Sequence, residues 1–90
     1  MSAIRKEVDV SMPPDVALHA RPAGLFVKTA MRFESRVTVG VEGKAADAKS
    51  ILSVLALGAT GGTRLTLTAE GDDAGEALEL LSACVTGLVE

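Results

Sequence analysis

The sequence predicts a two-layer α+β domain, an antiparallel sheet with all of its helices on one face. Three observations predict it. Strand-like segments alternate apolar and polar residues, so each has one buried and one wet side. Helix-like segments carry a single apolar stripe. The two kinds follow one another as strand, helix, strand, strand, helix, strand, helix.

Ile4 to Met12 is the first strand, with Ile4, Val8, Val10 and Met12 on one parity and Arg5, Glu7, Asp9 and Ser11 on the other; Lys6 is the exception. Pro13-Pro14-Asp15 ends it. Ala20 to Phe33 reads as a helix whose stripe is Pro22, Phe26, Ala30 and Phe33. Pro22 falls in the first turn, where a missing N–H is harmless. Arg21, Lys28 and Arg32 form a basic stripe on the opposite side. Arg36 to Val41 alternates again, Glu42-Gly43 signals a turn, and Lys44 to Ala46 is a short return strand. Asp47 to Leu57 reads as a short helix ended by Gly58. Thr63 to Ala69 sets Leu65, Leu67 and Ala69 against Arg64, Thr66 and Thr68. Asp72 to Val89 is the clearest helix, with Ala74, Ala77, Leu78, Leu81, Cys84, Val85 and Leu88 on one stripe and Asp72 and Asp73 suited to its start.

The 90 residues correspond to one domain, residues 1–90, large enough for a single core without staples. Hydrophobic residues make up 48%, which fits a packed chain and not a disordered one. Phe26 and Phe33 are the only aromatics, so the core is aliphatic and base-stacking on aromatic platforms is nearly excluded. A net charge of −3 argues against a general nucleic-acid binder. The one cysteine, Cys84, reads as a small core residue and fits a reducing compartment. No apolar run approaches a membrane span, and Met1 to Val10 has no signal-peptide core, so a cytoplasmic location is expected.

The only histidine, His19, falls where the first strand gives way to the first helix. A lone histidine is by default an exposed or hydrogen-bonded side chain without a role. It cannot make a metal site without clustered partners, and none are present. Its position favours a third reading. A helix start offers free N–H groups and a partial positive charge, a ready anion site, and Arg21 lies two residues on. Free histidine is already about three-quarters neutral at pH 7, so a helix start adds less than about 1.5-fold in nucleophile. Charge stabilisation of a transferring phosphoryl group is worth several kcal/mol, by analogy with oxyanion donors. The helix start therefore acts mainly as a phosphate cradle. No nucleotide-binding loop or triad accompanies it, so the arrangement suits a carrier better than an enzyme, with no cofactor.

Leu18-His19-Ala20-Arg21-Pro22-Ala23, with Phe26-Val27 following, and Ala48-Lys49-Ser50-Ile51 farther on resemble the two motifs of the HPr family, the histidine-containing phosphocarriers of the phosphoenolpyruvate-dependent sugar phosphotransferase system. The resemblance runs from about Val8 to Val89. It implies an open-faced sandwich with sheet order 1-4-2-3 and three helices on one face. It implies that phosphorylated enzyme I passes its phosphoryl group to Nδ1 of His19, that Arg21 pairs with that group, and that His19 passes it to IIA domains of sugar permeases. Ser50 corresponds to a position modified by an ATP-dependent kinase in some bacteria, with a phosphorylase and a transcriptional regulator as further partners; it also reads as a plain helix N-cap. Two departures stand out: Ala17 replaces the usual Gly before Leu18, and Asp47 replaces the usual Asn.

The second helix is apolar on two flanks, Ile51, Leu52 and Leu55 on one and Val54 and Leu57 on the other. Periodicity leaves open which flank is buried. The resemblance assigns Ile51, Leu52 and Leu55 to partner docking, with Lys28, Arg32 and Lys49 as a basic rim beside Arg21. One alternative is a regulatory protein worked through Ser50, although a relative of that kind lacks the histidine. Another is a carrier for a nitrogen- or dihydroxyacetone-linked branch. A small monomeric shuttle is expected, without nucleic acid or membrane insertion.

Overall fold

The computed structural model describes residues 4–89. Its elements are β1 (Arg5–Ser11), α1 (Ala20–Ala30), β2 (Arg36–Val41), β3 (Lys44–Asp47), α2 (Ile51–Ala56), β4 (Arg64–Glu70) and α3 (Ala74–Thr86). The strands form one antiparallel sheet in the order β1-β4-β2-β3. Met1–Ala3, part of the N-terminal reading, lie outside the described residues.

Alternation becomes layering through the register. Val8 opposes Leu67, Leu67 opposes Val39, and Val39 opposes Ala46, so one apolar row crosses all four strands. The next row, Glu7, Thr68, Thr38 and Asp47, lies on the open face. Leu65, Leu67, Ala69, Val37 and Val39 are buried under the helices together with Phe26, Ala30, Val54, Leu81 and Val85. Lys6 has the inward parity but stays exposed, because β1 is an edge strand. Its aliphatic stem runs past Gly75 of α3, where a Cβ would stand 3.7 Å from Lys6 Cε.

The strand ends lie within one residue of the sequence reading, and the helix ends differ more. α2 begins at Ile51, not Asp47, because Asp47 still pairs with Thr38 in the sheet and the Ala48 amide donates to Val37 O at 2.9 Å. The Ser50 hydroxyl then caps the helix by accepting from the Ser53 amide at 3.3 Å. α1 stops at Ala30, and the amides of Arg32 and Phe33 close tighter bonds to Thr29 O and Ala30 O. Phe33 still packs against the core from outside the helix. α3 is shorter at both ends, running from Ala74 to Thr86. Cys84 on its stripe is half-buried, and burial pushes its thiol up.

Asp73 stands at the start of α3 but does not cap it. Its carboxylate reaches back to the α1–β2 connection, accepting from the amides of Glu34 and Ser35 at 2.9 Å each and from the Ser35 hydroxyl. The Ser35 hydroxyl is the main cause that holds the Asp73 carboxyl below its usual value, with the Glu34 amide next. Gly71 completes this clamp. Its φ is +147°, and a Cβ there would fall 2.5 Å from Ser35 Oγ.

Candidate functional site

His19 is placed by the segment that precedes it. Met12, Val16 and Leu18 are buried, so the β1–α1 connection is anchored by apolar side chains. Its backbone is tied to the α2–β4 connection: Met12 N–H donates to Thr63 O at 2.8 Å, Leu18 N–H to Ala59 O at 2.9 Å, and Gly62 N–H to Pro13 O at 3.2 Å. The two connections approach so closely that a Cβ on Gly61 would stand 2.0 Å from Pro14 O. Leu18 points into the core, and the next residue emerges at the surface.

There His19 is the N-cap of α1, in an extended conformation with φ −81° and ψ −175°. Its carbonyl accepts the first helical bond from Ala23 N–H at 2.8 Å, and its amide donates to Ala17 O at 2.9 Å. The imidazole makes no side-chain cap bond and is exposed. The amides of Ala20 and Arg21 follow in the first turn, where no earlier turn of helix supplies a carbonyl; Pro22 has no N–H to add. Arg21 is exposed and forms no ion pair among the described residues. An uncommitted ring, a guanidinium two residues away and the positive end of an 11-residue helix thus share one open surface. No group of three or more His, Cys, Asp or Glu among the described residues is placed to hold a metal ion.

Comparison with known proteins decides what this arrangement belongs to. The profile described as PTS HPr component phosphorylation site matches residues 4–86. The chain belongs to the HPr family. It is 44% identical over 80 residues to the phosphocarrier protein HPr of Haemophilus influenzae, covering 89% of this chain and 94% of that one. It is likewise 44% identical over 82 residues to the HPr-like protein Crh of Bacillus subtilis, covering 91% and 94%. The crystal structure of the phosphocarrier protein HPr from Bacillus anthracis superposes with a TM-score of 0.87 at 40% identity, over 91% of this chain and 98% of that one. The sheet order, the single helical layer and the succession of elements are those of HPr.

The second HPr motif lies at the start of α2, and α1 packs against both α2 and α3. Ser50 is half-buried, and its hydroxyl is engaged in the cap and in a 3.0 Å bond to Ser53 Oγ. Asp47 turns its carboxylate onto the Lys49 amide at 2.9 Å. The two flanks of α2 separate by burial: Val54 and Leu57 are in the core, Leu55 is half-buried, Ile51 is exposed, and Leu52 is 77% exposed. Lys28 and Arg32 are exposed on α1 and just beyond it. Lys49 differs from its expected place on a free basic rim. It is half-buried, and its ammonium donates to Phe33 O at 2.7 Å, so it braces the end of α1 against α2. Leu25 and Met31, which sequence reasoning passed over, are exposed beside the basic stripe. Leu25 was within reach of the same periodicity, four residues after Arg21 and three before Lys28.

Proposed function

We propose that this HPr-family phosphocarrier accepts a phosphoryl group from phosphorylated enzyme I on Nδ1 of His19 and passes it to IIA domains of sugar permeases. One observation supports this most: an exposed, unengaged imidazole at the N-cap of a helix, with Arg21 two residues on. In each transfer the P–N bond to His19 forms as the donor's bond to phosphorus breaks, and the reverse occurs when the group leaves. The imidazole lone pair attacks. Charge on the three equatorial oxygens is met by Arg21 and by the amides of the first helical turn. The chain adds no second reactive group, so the donor and acceptor proteins supply the rest of the chemistry.

Docking falls to Ile51, Leu52 and Leu55, with Lys28 and Arg32 as cations around them, while Lys49 braces α1 against α2. No described helix is long and apolar enough to cross a membrane, and a cytoplasmic monomer fits this role. The experiment is incubation with enzyme I and phosphoenolpyruvate. The expected product is an acid-labile, base-stable phosphoprotein, absent in His19→Ala. No adduct on the intact chain, or an undiminished adduct in His19→Ala, contradicts the reading.

The similarity to Crh supports a second reading, in which a kinase and ATP place phosphate on Ser50 and the chain acts as a regulator. Such a product is an acid-stable phosphoester that survives His19→Ala and is lost in Ser50→Ala. A phosphate at this cap adds up to about two negative charges, favouring the helix start and repelling acidic partners.

A further inference from the structure

Gly61-Gly62 lies outside both HPr motifs, yet it is packed against the chain that carries His19. Thr60–Thr63 closes as a four-residue turn. Thr63 N–H donates to Thr60 O at 3.1 Å, and Thr60 N–H donates to Thr63 Oγ1 at 3.1 Å. The two hydroxyls stand 3.2 Å apart. Gly62, at φ +80°, takes the third position, where a turn of this hand asks for glycine. Gly61 carries no such requirement, since its φ lies outside the left-handed region. What it requires is space. A Cβ there would stand 2.8 Å from the Pro14 carbonyl carbon and nearer still to its oxygen, and neither backbone atom can swing aside as a side chain could.

The seam on either side of that contact is made by backbone. Thr63 O accepts from the Met12 amide, the Gly62 amide donates to Pro13 O, and Ala59 O accepts from the Leu18 amide. These bonds hold the β1–α1 connection at its beginning and at the residue before His19. Between them Val16 is buried, and Pro13 and Pro14 have no amide to offer. The connection is laid along the turn at contact distance, and His19 is the first residue beyond the seam.

We infer that Gly61 is a positioning residue for phosphoryl transfer. Having no side chain, it lets the Thr60–Thr63 turn press against Pro14, and this sets the backbone from which the imidazole of His19 leaves the start of α1. It touches neither the ring nor the phosphoryl group and acts through the connection. This rests on the carrier reading and deepens it. Transfer needs the ring nitrogen in line with the bond that breaks, and a misplacement of about 1 Å can cost roughly 100-fold in rate. The outward side chains of α1 and α2 have no part in the seam, so binding of the donor protein is left as it was.

The test is single-turnover transfer from phosphorylated enzyme I, with the carrier concentration varied, for the intact chain, Gly61→Ala and Thr63→Val. Thr63→Val removes the hydroxyl that holds the Thr60 amide, so it loosens the turn without a steric conflict and serves where Gly61→Ala does not fold. Leu78→Ala, which opens a void where α3 faces β1, is the control for lost stability alone. The maximal rate is expected to fall about tenfold in Gly61→Ala and about threefold in Thr63→Val, with the half-saturating concentration within about twofold in both. Leu78→Ala is expected to melt at a lower temperature and keep the maximal rate of the intact chain. An unchanged maximal rate in every turn variant that folds overturns the positioning role and leaves the carrier reading in place. A slowing of Leu78→Ala as large as that of the turn variants overturns it as well, because lost stability then accounts for the effect. So does a raised half-saturating concentration at constant maximal rate, which would place Gly61 in docking. An intact chain that takes up no phosphoryl group overturns the carrier reading and the positioning role together.

Discussion

At the scale of single residues, burial and hydrogen bonding separate side chains that serve the fold from those left free. His19 and Arg21 belong to the second group, and Gly24 does so in a different sense. It lies inside α1 with nothing within 4 Å of where a Cβ would stand. Glycine in a helix interior is roughly 0.5–1 kcal/mol less favourable than alanine. Gly24→Ala is therefore expected to stabilise the chain by up to about 1 kcal/mol, seen as a rise of several degrees in Tm. A fall in Tm would mean that the helix needs the glycine. His19 was legible in the sequence because it is the only histidine and precedes a helical pattern that opens with Pro22. The role of Lys49 was not legible. Its partner is the carbonyl of Phe33, which lies 16 positions away and is brought near only by the packing of α1 on α2.

At the scale of elements, alternation located β1, β2 and β4 and apolar stripes located α1 and α3, whereas β3 followed from the Glu42-Gly43 turn and α2 from the Gly58 stop, and some element ends were decided by contacts distant in sequence. Asp47 reads as the start of the second helix, but the ladder with Thr38 claims its backbone. Asp73, which reads as suited to the start of α3, does stand there, but its carboxylate binds the α1–β2 connection, 38 and 39 positions earlier. This clamp predicts a pH dependence. Because the Asp73 carboxyl titrates below the usual 3.8 when folded, the stability it contributes is present above that value and is lost as pH falls through the lower folded value. Asp73→Asn replaces one acceptor by an NH₂ facing an amide donor. Its Tm is expected to fall below that of the intact chain near neutral pH, with the gap closing below about pH 4. A gap independent of pH between 7 and 3 would show that the charge of Asp73 contributes nothing.

At the scale of the whole molecule, the fold divides labour between two surfaces. Among the described residues the acidic side chains lie on the open sheet face, in turns and connections and along α3, while the face made by α1 and α2 carries the histidine, Arg21, Lys28, Arg32 and four of the seven exposed large apolar side chains. A face whose charges are all positive steers an acidic partner toward one side of a molecule whose net charge is itself negative. The layer architecture could be read from alternation and element order alone. Which side of α2 is exposed could not, because both flanks are apolar and only the position of Val54 in the core decides between them. The central claim is that the ring of His19 takes the phosphoryl group at the helix start, and nitrogen-15 NMR of the chain phosphorylated by enzyme I and phosphoenolpyruvate tests it most directly. The predicted spectrum has phosphorus bonded to Nδ1 of His19 and the largest amide shifts at Ala20 and Arg21. Phosphorus on any other residue, or a phosphorylated ring that leaves those two amides unmoved, would contradict the account.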